Sequence, residues 1–221
     1  MTDQNLTEIV CIIDRSGSMG SIRDDAIGGF NTFLEDQKKH PGEARLTYAQ
    51  FDDVYEVIHN GVDIQKVEPI DHETYQPRGS TALLDAIGKT ITTVGERLSK
   101  TPEHEKPGKV VVVILTDGKE NASQEYNRQQ IFDLITQQRE QWQWEFVFLA
   151  ANQDAIESGH GLGIAHAANF SPDSFGARGA YANVSDAISS YRTTAHAGDL
   201  DVDDAMSKDS KSKSSSRGRV H

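Results

Sequence analysis

Three oxygen-bearing side chains alternate in the stretch IIDRSGSMG at residues 12–20: the carboxylate of Asp14 and the hydroxyls of Ser16 and Ser18. They stand where an unbroken apolar run stops and a glycine-flanked turn begins. A second acid, Asp117, follows the apolar run 110–115 in the same way, within Thr116-Asp117-Gly118. Ser80 and Thr81 open a third polar stretch, PRGSTALLDAI. Oxygen donors so placed have three uses: capping the helices that follow, handling a phosphate, or holding a hard cation. Taken one at a time, caps and an Asp-Gly turn explain each piece. Together they bring two carboxylates and three or more hydroxyls to one edge.

Positions 14, 16 and 18 on a tight loop can aim three oxygens at one point, which suits a hard divalent cation such as Mg2+. Histidine and thiol are absent from these segments, which disfavours zinc. The eight histidines are scattered without a ligand-like pair. A phosphate-handling enzyme is the rival reading, with Asp14 as phosphoryl acceptor. Against it, DRSGSMGS lacks the Gly-x4-Gly-Lys-Ser/Thr pattern, and Ser16 stands where Asp-x-Asp phosphatases carry their second acid. The glycine cluster GHGLG at 159–163 does not directly follow a strand and reads as a loop.

The elements that must position these residues are legible in outline. Residues 6–13, 110–115 and 146–151 are continuous apolar runs, as expected of strands covered on both faces. Residues 45–51 and 54–59 read as a hairpin with Asp52 and Asp53 in its turn. Helical spacing links Met19, Ile22, Ala26, Phe30 and Phe33, then Leu84, Ile87, Ile91, Val94 and Leu98, and more weakly Ile131, Ile135, Gln138 and Trp142. A short strand at 165–170 leads to a last helix with Ser171 as N-cap and Pro172 at its first position, running through Phe175, Tyr181, Val184, Ile188 and Tyr191. Strands alternating with helices imply an α/β fold: a doubly wound, mostly parallel sheet with helices on both faces and one antiparallel strand from the hairpin. In such sheets ligands bind outside the carboxyl ends of the strands, where strand order reverses.

The chain of 221 residues carries a formal charge of −12, distributed unevenly. Residues 207–221 hold five Lys/Arg against Asp209 alone, leaving −16 on the rest. So acidic a body is repelled by phosphate backbones, and only the basic tail could touch nucleic acid, weakly. Cys11, the single cysteine, lies inside an apolar run and excludes an internal disulfide framework. No basic leader and no apolar stretch of membrane-spanning length is evident, so the expected location is cytoplasmic, with no membrane partner. The domain is expected over residues 5–196 and a disordered, acidic then Ser/Lys/Arg-rich tail over 197–221.

Asp14-x-Ser16-x-Ser18, Thr81 within GSTALLDAI and Asp117 within LTDG together resemble the von Willebrand factor type A (vWA) domain and its metal-ion-dependent adhesion site, over most of residues 6–195. The resemblance implies a Rossmann-like, six-stranded, mostly parallel sheet with one antiparallel edge strand. It implies that Ser16, Ser18 and Thr81 offer hydroxyls to Mg2+, with Mn2+ or Ca2+ as alternatives, while Asp14 and Asp117 bind it directly or through water. Asn121, Asn152 and Asp154 are candidates for the rim, an ordinary surface-loop role being the plainer reading. The resemblance implies a non-enzymatic function: a metal-gated interaction module whose protein partner, an AAA-type ATPase or other assembly component as for bacterial relatives, supplies an Asp or Glu carboxylate. A Mg2+-dependent phosphohydrolase or phosphotransferase, and a structural adaptor with a merely stabilising metal, are the alternatives.

The loss of apolar periodicity beyond about residue 198 generates a first prediction. Limited proteolysis should trim the tail and leave a core of unchanged melting temperature. A large loss of stability on trimming would show that the tail docks.

Overall fold

The apolar runs become the middle of one sheet. In the computed structural model, which describes residues 1–151, 155–171, 174–194 and 200, β1 (Asp3–Asp14), β2 (Glu43–Phe51), β3 (Tyr55–Asp63), β4 (Pro107–Thr116), β5 (Glu145–Ala150) and β6 (His166–Asn169) take the order β3-β2-β1-β4-β5-β6. Neighbours pair in parallel, except β3, which runs antiparallel on β2 at one edge. The helices are α1 (Arg23–Lys39), α2 (Leu83–Lys100), α3 (Arg128–Trp142), α4 (Ala155–Gly161) and α5 (Ser174–Thr193). This is the doubly wound, Rossmann-like α/β sheet that the sequence implies.

Side chains alternate across a strand, so one continuous apolar run serves two cores. Ile9, Cys11 and Ile13 of β1, with Val111, Val113 and Leu115 of β4, pack beneath α1 and α5 against Phe30, Phe33, Tyr181 and Ile188. The intervening Val10, Ile12, Val112 and Ile114 pack on the opposite face against Ile87, Ile91 and Val94 of α2 and Ile131 and Ile135 of α3. Each such buried side chain contributes roughly 1.5–3 kcal/mol. Burial pushes the Cys11 thiol up to about 12, in keeping with a structural rather than a reactive cysteine.

Four sequence expectations shift locally. The first helix does not start at Met19: residues Gly17–Ile22 form a 3-10 turn before α1, because Gly17, Ser18, Gly20 and Ser21 favour tight turns over regular helix. Trp142 is not on a core face but 64% exposed. The chain leaves α3 at Gln143 in a left-handed conformation, and it is Trp144 that enters the core. The last helix is described from Ser174, and its expected first residue, Pro172, lies outside the described residues, as do 201–221. Asp52 is a turn residue only in part, for its side chain is fully buried. Leu200, which falls within the expected tail 197–221, is instead buried in the α1/α5 core. Among the described residues no helix is long and apolar enough to cross a membrane.

The α1–α5 contact fixes one glycine by close approach. A Cβ at Gly29 would stand 2.3 Å from a ring carbon of Tyr181, which is itself buried against Phe30. Gly29→Ala should therefore cost about 1–3 kcal/mol by overpacking, despite alanine's better helix propensity. Thermal denaturation should show a fall of several degrees. An unchanged or higher melting temperature would mean that α1 and α5 do not pack as described.

Candidate metal centre

The sheet brings the chemistry to one place. From β1 the chain goes to β2 on one side and returns to β4 on the other, so strand order reverses between β1 and β4. Ile13 pairs with Leu115, and the next residues to leave the sheet at this carboxyl edge are Asp14, Thr116 and Asp117. A crevice outside such an edge is where open α/β sheets bind ligands.

Within it, hydrogen bonds join the motif residues. Ser16 N–H donates to Asp14 Oδ1 at 2.6 Å, closing a tight turn. Ser16 Oγ lies 3.1 Å from Ser18 Oγ, and Ser18 Oγ donates to Asp117 Oδ1 at 2.6 Å. Thr116 Oγ1 donates to Asp14 Oδ2 at 2.5 Å. The loop is held from behind as well. The Tyr75 hydroxyl donates to the Asp14 carbonyl at 2.6 Å, Arg78 N–H to the Arg15 carbonyl at 2.7 Å, and Gly17 N–H to the Gly79 carbonyl at 3.2 Å.

Thr81 reaches the cluster through the loop after β4. Its N–H donates to Asn121 Oδ1 at 2.9 Å, and its carbonyl accepts from the N–H groups of Asn121 and Ala122 at 3.0 and 3.2 Å. Its hydroxyl and Asp14 both crowd Gly118. A Cβ there would lie 2.7 Å from Thr81 Oγ1 and 3.3 Å from Asp14 Oδ2. Gly118 thus keeps open a cradle that any side chain would fill. Asp14, Ser16, Ser18, Thr81 and Asp117 all line this one edge, whereas Ser80 is exposed and stays out of the cluster.

The capping explanation fails on the same geometry. Ser16 precedes the 3-10 turn but makes no side-chain cap bond, and the residue before α2 is Ala82 rather than Ser80 or Thr81. The N-terminus of α2 is satisfied instead by the 120–126 loop: Leu84 N–H donates to Glu120 Oε2 at 2.9 Å and Asp85 N–H to Ser123 Oγ at 3.1 Å. In return the Asp85 carboxylate accepts from the N–H groups of Gln124, Glu125 and Tyr126. Partial burial works to raise the Asp85 carboxyl, but these three bonds outweigh it and hold it below the ordinary range. The hydroxyls at 16, 18 and 81 are therefore not consumed as caps.

The electrostatics point the same way. Burial pushes the Asp14 carboxyl up to about 6 against its hydrogen bonds, and the nearby charge of Asp117 adds to this. Burial raises Asp117 too, against the Ser18 bond. The adjacent guanidinium does not relieve them. Arg15 turns away to Asp52 Oδ2 at 3.1 Å, Gln50 Oε1 at 3.3 Å and Glu56 Oε2 at 2.7 Å, and Arg78 also donates to Asp52, at 2.8 Å. Among the described residues no group of three or more His, Cys, Asp or Glu could hold a metal ion. Any cation here needs the hydroxyls as well as both carboxylates, a set of hard oxygen donors that fits Mg2+, Mn2+ or Ca2+.

Several supporting residues are not visible as such in the sequence. Tyr75, Asp85, Glu120 and the Arg15–Asp52–Arg78 group act across 26 to 61 positions. Asn121 is no mere surface-loop residue, since it fixes the Thr81 backbone. Asn152 and Asp154 lie outside the described residues.

No protein-family model matches the chain, and no curated protein is significantly similar to it. Solved structures do match. A von Willebrand factor type A protein from Catenulispora acidiphila aligns over 82% of this chain and 42% of its own, with a TM-score of 0.52 and 14% identity. The manganese-loaded TRAP protein of Plasmodium vivax aligns over 68% and 59%, with 0.49 and 16%. The ArnB paralog VWA2 of Sulfolobus acidocaldarius aligns over 69% and 36%, with 0.44 and 19%. The chain thus spans 36 to 59% of the length of these three. At such identities the likeness is one of architecture, and the chain has the fold of a von Willebrand factor type A domain.

Proposed function

We propose that Asp14, Ser16, Ser18, Thr81 and Asp117 hold one divalent cation, Mg2+ in the cell, and that the chain is a metal-dependent protein-binding module working in the cytoplasm. A single observation carries the reading. Two raised carboxylates and three hydroxyls free of capping duty share one sheet edge, while the nearest guanidinium is committed elsewhere. When bound, the cation supplies a coordination position for one further anionic oxygen, which an Asp or Glu of a partner protein fits. With three neutral hydroxyls among five donors, the site leaves that position attractive to a carboxylate.

The same geometry weighs against phosphoryl transfer. The Asp14 side chain is fully buried, and its two oxygens already accept from Ser16 N–H and Thr116 Oγ1. A carboxylate so enclosed is poorly placed to attack phosphorus in line.

Thermal denaturation with and without Mg2+ tests the proposal. At Mg2+ about 100-fold above Kd, wild type should gain about 2.7 kcal/mol, or roughly 5–10 °C for a chain of this size. Asp14→Asn, Thr81→Ala and Gly118→Ala should fold and lose that increment together, along with any partner captured in Mg2+ but not in chelator. Gly118→Ala is the sharpest arm, since it removes no donor and only fills the cradle. Retention of the full increment by all three variants would refute the shared site.

A further inference from the structure

Next to the metal centre, on the α2/α3 face of the sheet, lies a cavity of about 260 Å3. Thr116 and Gly118 form part of its wall, so it shares a partition with the centre. Its depth is apolar: Leu83, Leu84, Phe148 and Leu162 line it, all buried members of one core. Its rim is polar, with Lys119, Glu120, Arg128 and Ser158. The Glu120 carboxylate is already taken up by Leu84 N–H, Ala122 N–H and the Ser123 N–H and hydroxyl. Arg128, by contrast, is exposed at the first position of α3. On a chain of net charge −12, the exposed guanidinium of Arg128 gives this rim a positive charge. The volume falls below that of pockets for whole small-molecule ligands, about 300–1,000 Å3, and suits a single inserted side chain.

We propose that this cavity is the second half of the recognition site: it takes an apolar side chain of an acidic peptide segment whose carboxylate two residues earlier is directed at the metal. A following acid of the same segment meets Arg128. In an extended peptide, side chains two residues apart share one face, so a carboxylate at the centre and an apolar side chain in the adjoining cavity belong to one short segment. The metal then supplies attachment and the cavity supplies choice among acidic partners. This rests on the metal-dependent binding proposed above and deepens it.

The experiment uses the full chain and three labelled probes: acetyl-Gly-Asp-Gly-Leu-Asp-Gly-amide, the same peptide with Gly for Leu, and the same with Asn for the first Asp. Anisotropy titrations in Mg2+ should show the Leu peptide binding at least 10-fold tighter than the Gly peptide, and the Asn peptide losing most of its affinity. Ser158→Trp, at the half-buried rim, should bring the Leu/Gly ratio to about 1 without changing affinity for the Gly peptide or the Mg2+ increment in melting temperature. Arg128→Glu should weaken both Asp peptides several-fold. Equal affinity of wild type for the Leu and Gly peptides, with Mg2+-dependent binding intact, would overturn the cavity while leaving the metal reading standing. Absence of both a Mg2+ increment and Mg2+-dependent binding would overturn the two together.

Discussion

A carboxylate buried at the end of the central strand governs this edge of the molecule. Asp14 ends β1 with its side chain out of solvent and with the charge of Asp117 close by. Burying an unpaired carboxylate is costly, and a like charge beside it adds to the cost. The surroundings answer with donors. Ser16 N–H and Thr116 Oγ1 take the two oxygens of Asp14, and Ser18 Oγ takes Asp117. Thr116 comes from β4, which the sheet places, whereas Ser16 and Ser18 come from the loop that follows β1. The loop could not supply these bonds if it were free, and Tyr75, Arg78 and Gly79 hold it to a segment more than 60 positions away.

Charge is sorted rather than merely balanced. Arg15 is one residue from Asp14 and would neutralise it if it turned inward. Asp52, Gln50 and Glu56, brought by β2 and β3, compete for that guanidinium and win. The arrangement has a cost: Arg15 Nη2 is buried without a hydrogen-bond partner. A buried ion pair is weak evidence for net stability, so its sense here lies in position. It keeps a fixed cation away from the crevice and ties the hairpin turn to the loop that carries the serines.

How much of this was legible follows from how far each signal travels along the chain. Periodicity is local, so the strands, the antiparallel hairpin and the amphipathic faces of α1 and α2 could be read with ends misplaced by a few residues. Asp14 and Asp117 were legible because an acid directly after an apolar run marks a strand end. Tertiary competition was not. Ser16 and Thr81 each sit where a cap is the ordinary use of a hydroxyl, and only the fold shows Glu120 and Ser123 taking over the N-terminus of α2. Asp52-Asp53 reads as a turn, yet the sheet register buries the first acid between two arginines that are 37 and 26 positions distant. Trp142 misled for a simpler reason: helical spacing ran on past the point where α3 stops facing the core.

Hydroxyls suit this edge for a reason that carboxylates could not meet. A hydroxyl donates as well as accepts, and its hydrogen turns about the Cβ–Oγ bond. Ser16, Ser18 and Thr116 can therefore satisfy one another and the two acids by O–H donation, as the bonds of 3.1, 2.6 and 2.5 Å show. The same oxygens can turn their lone pairs outward to a cation without moving the backbone. A third acid at position 16 would gain charge for a metal but lose that second mode, since an ionised carboxylate only accepts, and it would add like-charge repulsion to a site already raised by burial. The serines let the edge fold on its own terms, so affinity for a cation and stability of the fold are set by separate features: the first by lone pairs at the crevice, the second by the two apolar cores beneath it.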